Sequence, residues 1–184
     1  MKYKKIDTKL FIKNRKNFVN KLERKSIAFF NSNDIYPISA DSTLPFDQHR
    51  DIFYLSGIDQ EESLLVLFPD SKDIEYKEML FLRETNEYIT HWEGEKLTKE
   101  QAKNISGINN IFWLGEFEDI LKEVLSQADF VYINTNEHYR QNVQTQTRED
   151  RFINRLKNIN GLKFKKSNPI LQKQRSVKDQ IEIE

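Results

Sequence analysis

Short, nearly unbroken apolar runs constrain this chain most. Residues 26–31 (SIAFFN), 51–56 (DIFYLS), 63–68 (SLLVLF), 78–83 (EMLFLR), 111–114 and 130–134 (FVYIN) stand apart from one another between polar or turn-forming segments. Runs this short, bounded by breakers such as Gly57 and Pro69, read as buried strands. DIFYLS, SLLVLF and EMLFLR read as neighbours, the last two pairing as a long hairpin. Between the strands lie helical patterns. Leu10, Phe11, Asn14, Phe18, Val19 and Leu22 recur on one helix face, with Asp7 or Thr8 as cap. Thr98 and Gln101 form a capping box for a helix stopped at Gly107. Residues 117–125 and 148–158 are amphipathic, the latter burying Phe152, Ile153 and Leu156 before an Asn160-Gly161 stop. Helices interleaved with strands predict an α/β domain with a mixed sheet of about six strands flanked by helices.

Composition narrows the function classes. Lys plus Arg and Asp plus Glu each number 29, so the net charge is zero and broad capture of nucleic acid or an anionic membrane is disfavoured. With 13 Phe, 7 Tyr and 2 Trp the chain carries enough bulky apolar surface to fold. The absence of cysteine removes disulfides, thiolate nucleophiles and cysteine-ligated metals. The five glycines are too scattered for a phosphate-cradling loop. No apolar run in residues 1–10 reads as a secretory signal, and none elsewhere approaches the roughly 20 residues of a membrane helix. A cytoplasmic setting is the simplest expectation.

Residues 31–51, with Pro37 and Pro45, read as one long loop of the kind that often carries function. Residues 163–178 are rich in lysine, with Pro169 as breaker, and read as a solvated linker rather than a nucleic-acid patch. A helix-like pattern then begins at Val177 and suggests a domain boundary.

Chemistry-bearing residues are sparse. The three histidines are His49, His91 and His138. If residues 47–51 are extended, Asp47, His49 and Asp51 share one side, where a divalent metal could sit. A polar loop entering a strand is the favoured reading. No His-Glu-x-x-His or Gly-x-Ser-x-Gly pattern occurs. Trp92 lies in a polar stretch with Glu93, Glu95 and Lys96, which makes an exposed or interface indole as plausible as a core one. Asp41, in Ser39-Ala40-Asp41-Ser42, could meet a cationic group, although an Asx-turn is the favoured reading on sequence grounds.

Taken in order, these segments resemble the N-terminal domain of aminopeptidase P, in the creatinase and prolidase superfamily. The resemblance rests on Asn14, Arg15 and Phe18; on Ser39 to Ser42; and on Pro45, Phe46, Gln48, Asp51, Tyr54, Leu55, Ser56 and Gly57. Trp92 with Gly94 follows, then Arg175, Lys178, Glu182 and Ile183. Asp47, His49-Arg50, Glu95 and Lys96 depart from the family pattern.

The resemblance implies a ribonuclease-H-like motif and a division into residues 1–174 as N-terminal domain and 175–184 as the lead into a C-terminal pita-bread catalytic domain. It implies no catalytic residue, metal or cofactor in this chain, which alone is expected to be inactive. Two divalent ions, manganese by family habit, belong to the catalytic half of a Xaa-Pro aminopeptidase. The implied partners are that catalytic half, further copies in a homo-oligomer, and peptides with proline second; neither nucleic acid nor membrane is expected. Trp92 and Asp41 match substrate-entrance positions, and His49 and Arg50 are weaker candidates. The alternatives are a peptide- or protein-binding module of an inactive homologue, and the N-terminal domain of a prolidase.

Overall fold

The computed structural model describes residues 5–136, 145–159 and 161–183. Helix α1 (Thr8–Val19) starts where the Asp7 carboxylate accepts a hydrogen bond from the Lys9 amide, and it buries Leu10, Phe11 and Phe18. Strand β1 (Ser26–Asn31) is buried at every position, as a central strand covered on both faces must be. A small antiparallel hairpin follows, β2 (Pro37–Ser39) with β3 (Ser42–Thr43). Next come α2 (Arg50–Ser56), β4 (Leu64–Leu67), β5 (Glu78–Leu82), α3 (Glu87–Glu93) and α4 (Lys99–Ser106). The chain continues through β6 (Asn110–Trp113), α5 (Phe117–Leu125), β7 (Phe130–Ile133), α6 (Arg148–Lys157), β8 (Lys163–Lys166), α7 (Asn168–Arg175) and α8 (Gln180–Ile183).

The main sheet has six strands in the order β6-β5-β4-β1-β7-β8. β4 runs antiparallel to both β1 and β5, and the remaining pairs are parallel. Because successive strand residues point to opposite faces, β1 sends Ile27 and Phe29 one way and Ala28 and Phe30 the other. The first face packs under α5 and α6, where Phe29 meets Phe152 with ring centroids 5.1 Å apart. The second packs under α1, α2, α4 and α7, where Phe18 meets Phe30 at 5.2 Å. Each such side chain, fully withdrawn from water, stabilises the fold by about 1.5–3 kcal/mol.

The structure departs from the sequence expectation at several places. Residues 51–56 form helix α2, not a strand: Ile52 and Leu55 are the buried pair, at helical spacing. Gly57 ends that helix at φ 72°, and a Cβ there would lie 2.4 Å from the Phe11 ring. The lysine-rich tail is not a linker. Its β8 pairs in parallel with β7 at the sheet edge, where lysines discourage further strand addition. Pro169 lies in the first turn of α7, which needs no amide donor there, and Leu171 is buried. Finally, residues 31–51 contain the β2–β3 hairpin, and α3 occupies the polar stretch around Trp92. The Asn160 stop and His138 lie outside the described residues.

Candidate functional site

Trp92 stands on α3, a helix that buries no side chain. The Asn86 side-chain oxygen caps it by accepting from the Ile89 amide at 2.9 Å. One helical turn apart, Tyr88 and Trp92 are 73% and 70% exposed, with ring centroids 6.4 Å apart. His91 meets the indole edge-on at 4.9 Å. The helix is braced from the sheet: Arg83 donates to both carboxylate oxygens of Glu93, at 2.6 and 2.8 Å, and pairs with Glu62 at 3.1 Å. Lys96 pairs with Glu61 just below. The indole is thus a surface group on an anchored support, with a flat face open to a ligand.

Asp41 is exposed at the turn of the β2–β3 hairpin, beside Ala40 at φ 50°. The same hairpin and its flanks expose Tyr36, Ile38 and Leu44. No hydrogen bond or ring contact joins Asp41 to Trp92, and they belong to different elements.

His49 and Arg50 open α2. The His49 Nδ1 accepts from the Asp51 amide at 3.3 Å, so the imidazole serves as the helix cap. Burial holds its pKa below the usual histidine value, with Asp51 opposing and Arg175 and Arg50 adding to the effect. Arg50 donates to Asp47 at 2.8 Å on the surface. Asp51 instead turns inward, accepting from Arg175 at 2.6 Å and from the Asn134 side-chain nitrogen at 3.0 Å. The turn into α2 therefore separates Asp47, His49 and Asp51. Among the described residues no three His, Cys, Asp or Glu side chains form a metal-holding group.

His49 lines a cleft of about 500 Å³ under the hairpin, walled by Tyr36, Leu44, Pro45, Asn134 and Glu149. Glu149, in the first turn of α6, accepts from the Asn31 amide at 2.8 Å and from the Asn31 side chain at 3.1 Å. Burial pushes its carboxyl up to about 8; the Asn31 hydrogen bonds oppose this and are outweighed. The carboxyl thus keeps its proton at neutral pH. Sequence reading missed Glu149 because an acid in a first helical turn ordinarily faces water, and nothing local signals that β1 covers this one.

Several residues of the matched motifs build joints rather than a site. The Asn14 side chain donates to the Tyr54 carbonyl at 2.9 Å, and the Gln48 side-chain nitrogen donates to the carbonyls of Ile58 and Gln60 at 3.1 and 2.9 Å. Arg15 donates to the carbonyls of Leu55 and Ser106 at 2.8 and 2.9 Å and pairs with Glu78.

The profile of the family "Aminopeptidase P, N-terminal domain" matches residues 11–132. Xaa-Pro aminopeptidase of Escherichia coli is 28% identical over 122 residues, covering 66% of this chain and 27% of that protein. Human Xaa-Pro aminopeptidase 3 is 26% identical over 103 residues, 55% of this chain and 20% of its own length. A structure assigned to an aminopeptidase P from Bacillus anthracis superposes with a TM-score of 0.86 at 24% identity, covering 96% of this chain and 42% of that one. That likeness establishes the fold, and the chain spans less than half of each of these proteins.

Proposed function

We propose a role for this chain from one premise: it belongs to the aminopeptidase P N-terminal domain family. In our reading it is the non-catalytic N-terminal part of a Xaa-Pro aminopeptidase, a hydrolase that removes the residue preceding proline. Two divalent metal ions, manganese in this reading, belong to a C-terminal catalytic half. The residues described here do not fit such a centre, because no three metal-ligating side chains converge among them. No catalytic step is assigned to this chain.

Residues 1–174 act as the domain body and 175–184 lead into the catalytic half. Partners are that half, further copies of the chain in a homo-oligomer, and peptides with proline second. A cytoplasmic setting without nucleic acid or membrane suits the zero net charge. No helix among the described residues is long and apolar enough to cross a membrane.

The exposed, braced indole of Trp92 carries the reading. A flat aromatic wall held at a fixed angle can stack on an incoming peptide, while Asp41 attracts its ammonium group. Walls of this kind restrict an active site to the free ends of short peptides. In the parent enzyme, Trp92→Ala should lower kcat/KM for a Xaa-Pro tripeptide about tenfold, or about 1.4 kcal/mol of transition-state stabilisation. The thermal midpoint should not move, since Trp92 packs under nothing. A strongly destabilised variant with unchanged kinetics would overturn the proposal.

A further inference from the structure

Arg148 is placed against its own electrostatic interest. It is the first residue of α6, a helix of 10 residues whose N-terminal end carries the positive pole of the helix dipole. Its side chain is half-buried, and burial lowers its pKa. Yet it makes no hydrogen bond or ion pair with any described residue.

The nearby acids among the described residues are all engaged elsewhere. Glu62 and Asp34, which act on Arg148 through space, pair with Arg83 at 3.1 Å and Arg151 at 2.7 Å. Asp47 pairs with Arg50 at 2.8 Å. Asp150 accepts from the Thr147 amide and hydroxyl at 2.9 and 2.7 Å, closing the helix cap. Glu149 favours the Arg148 charge through space, but both its oxygens accept from Asn31, and Arg151 adds repulsion. Among the described residues Arg148 thus has no hydrogen-bond or ion-pair partner of its own while it stands half withdrawn from water, a site suited to an anionic occupant.

What stands around Arg148 describes the occupant. It lines both the cleft of about 500 Å³ and an adjoining one of about 320 Å³. In the larger cleft, Asn134 is 1% exposed; its side-chain nitrogen donates to Asp51, and its side-chain oxygen accepts no hydrogen bond from the described residues. A buried acceptor left open asks for an N–H donor. Tyr36, Leu44 and Pro45 give the same cleft an apolar wall. A planar guanidinium selects a carboxylate by a two-pronged hydrogen bond. We propose that the cleft at the start of α6 binds the C-terminal end of a peptide. Its carboxylate sits on Arg148, its last backbone N–H points to Asn134 Oδ1, and its last side chain lies against Tyr36, Leu44 and Pro45.

The test uses this chain and is independent of the aminopeptidase reading, because it measures binding and not turnover. The probes are N-acetyl-Gly-Leu as the free acid, the same peptide as its C-terminal amide, and N-acetyl-Asp-Leu amide. Titrations are followed by amide NMR. The free acid should shift the resonances of Asn134 and Thr147 to Asp150 saturably, and the amide should bind at least tenfold more weakly. Arg148→Gln should abolish the difference between acid and amide, while Arg148→Lys, a point charge without the fork, should retain part of it. The thermal midpoint of Arg148→Gln should hold or rise, since an unpaired cation leaves the dipole's positive end; a fall would mark Arg148 as structural. Equal binding of acid and amide, unchanged binding by Arg148→Gln, or no saturable binding would overturn the proposal. Binding of the aspartyl amide in place of the free acid would also overturn it, by assigning the pocket to a side-chain carboxylate.

Discussion

Glu149 gives the fold a pH dependence of unusual sign for a carboxylate. Its pKa is raised from 4.5 to about 8, so between those values the folded chain holds a proton that the unfolded chain releases. The associated stability is complete below pH 4.5 and is lost as pH rises towards 8, with a slope of up to about 1.4 kcal/mol per pH unit. Glu149→Gln keeps an oxygen to accept from the Asn31 amide and carries no proton to lose. Urea denaturation at pH 5, 6, 7 and 8 should show a falling stability for the parent chain and a flatter profile for the variant. Equal slopes would move the effect to another group. At this scale the sequence disclosed Trp92 as a surface candidate, because its neighbours Glu93, Glu95 and Lys96 left no apolar company. It disclosed neither Glu149 nor Arg148, since their burial is imposed by β1 and by the β2–β3 hairpin, more than a hundred residues earlier in the chain.

Among elements, α2 shows where a periodic reading fails and why. Its six-letter run DIFYLS offers too few positions to separate an alternating pattern from a helical one. Its termini decide the matter: His49 caps the start, and Gly57 adopts a left-handed conformation at the end. Gly57→Ala places a methyl group 2.4 Å from the Phe11 ring at φ 72°, a double penalty of backbone strain and overpacking. The variant should lose about 2–4 kcal/mol, read as a lower thermal midpoint and disturbed Phe11 resonances. A loss under about 0.5 kcal/mol would show that α1 can shift to make room. By contrast α4 and α5 were legible, because a capping box and nine amphipathic residues leave little choice. Strand β8 was hidden for another reason. Its lysines look like a solvated run, and only β7 alongside supplies the partner that makes them an edge strand.

For the whole molecule, the order of the sheet could not be read locally. β1 sits between β4 and β7, so its neighbours come from sites far along the chain. The motif residues carried that information without revealing how. Arg15, 1% exposed, lies on α1 and reaches α2 through the Leu55 carbonyl, α4 through the Ser106 carbonyl and β5 through Glu78. One guanidinium thus fixes three helices against a strand, a task that needs several donors diverging from one rigid plane. Arg15→Ala leaves two carbonyls without donors and a carboxylate without its partner, and should cost about 3–5 kcal/mol. Arg15→Lys, with a single nitrogen, should recover only part of this loss. If the joint works as described, hydrogen exchange in Arg15→Lys should quicken in α1, α2 and α4 together while α5 and α6, on the opposite face, stay protected. Faster exchange confined to α1 would instead make Arg15 a local anchor. The distinction matters for the surface as well, because Trp92 on α3 is braced by Arg83, the residue directly after β5, and β5 is the strand that Arg15 holds.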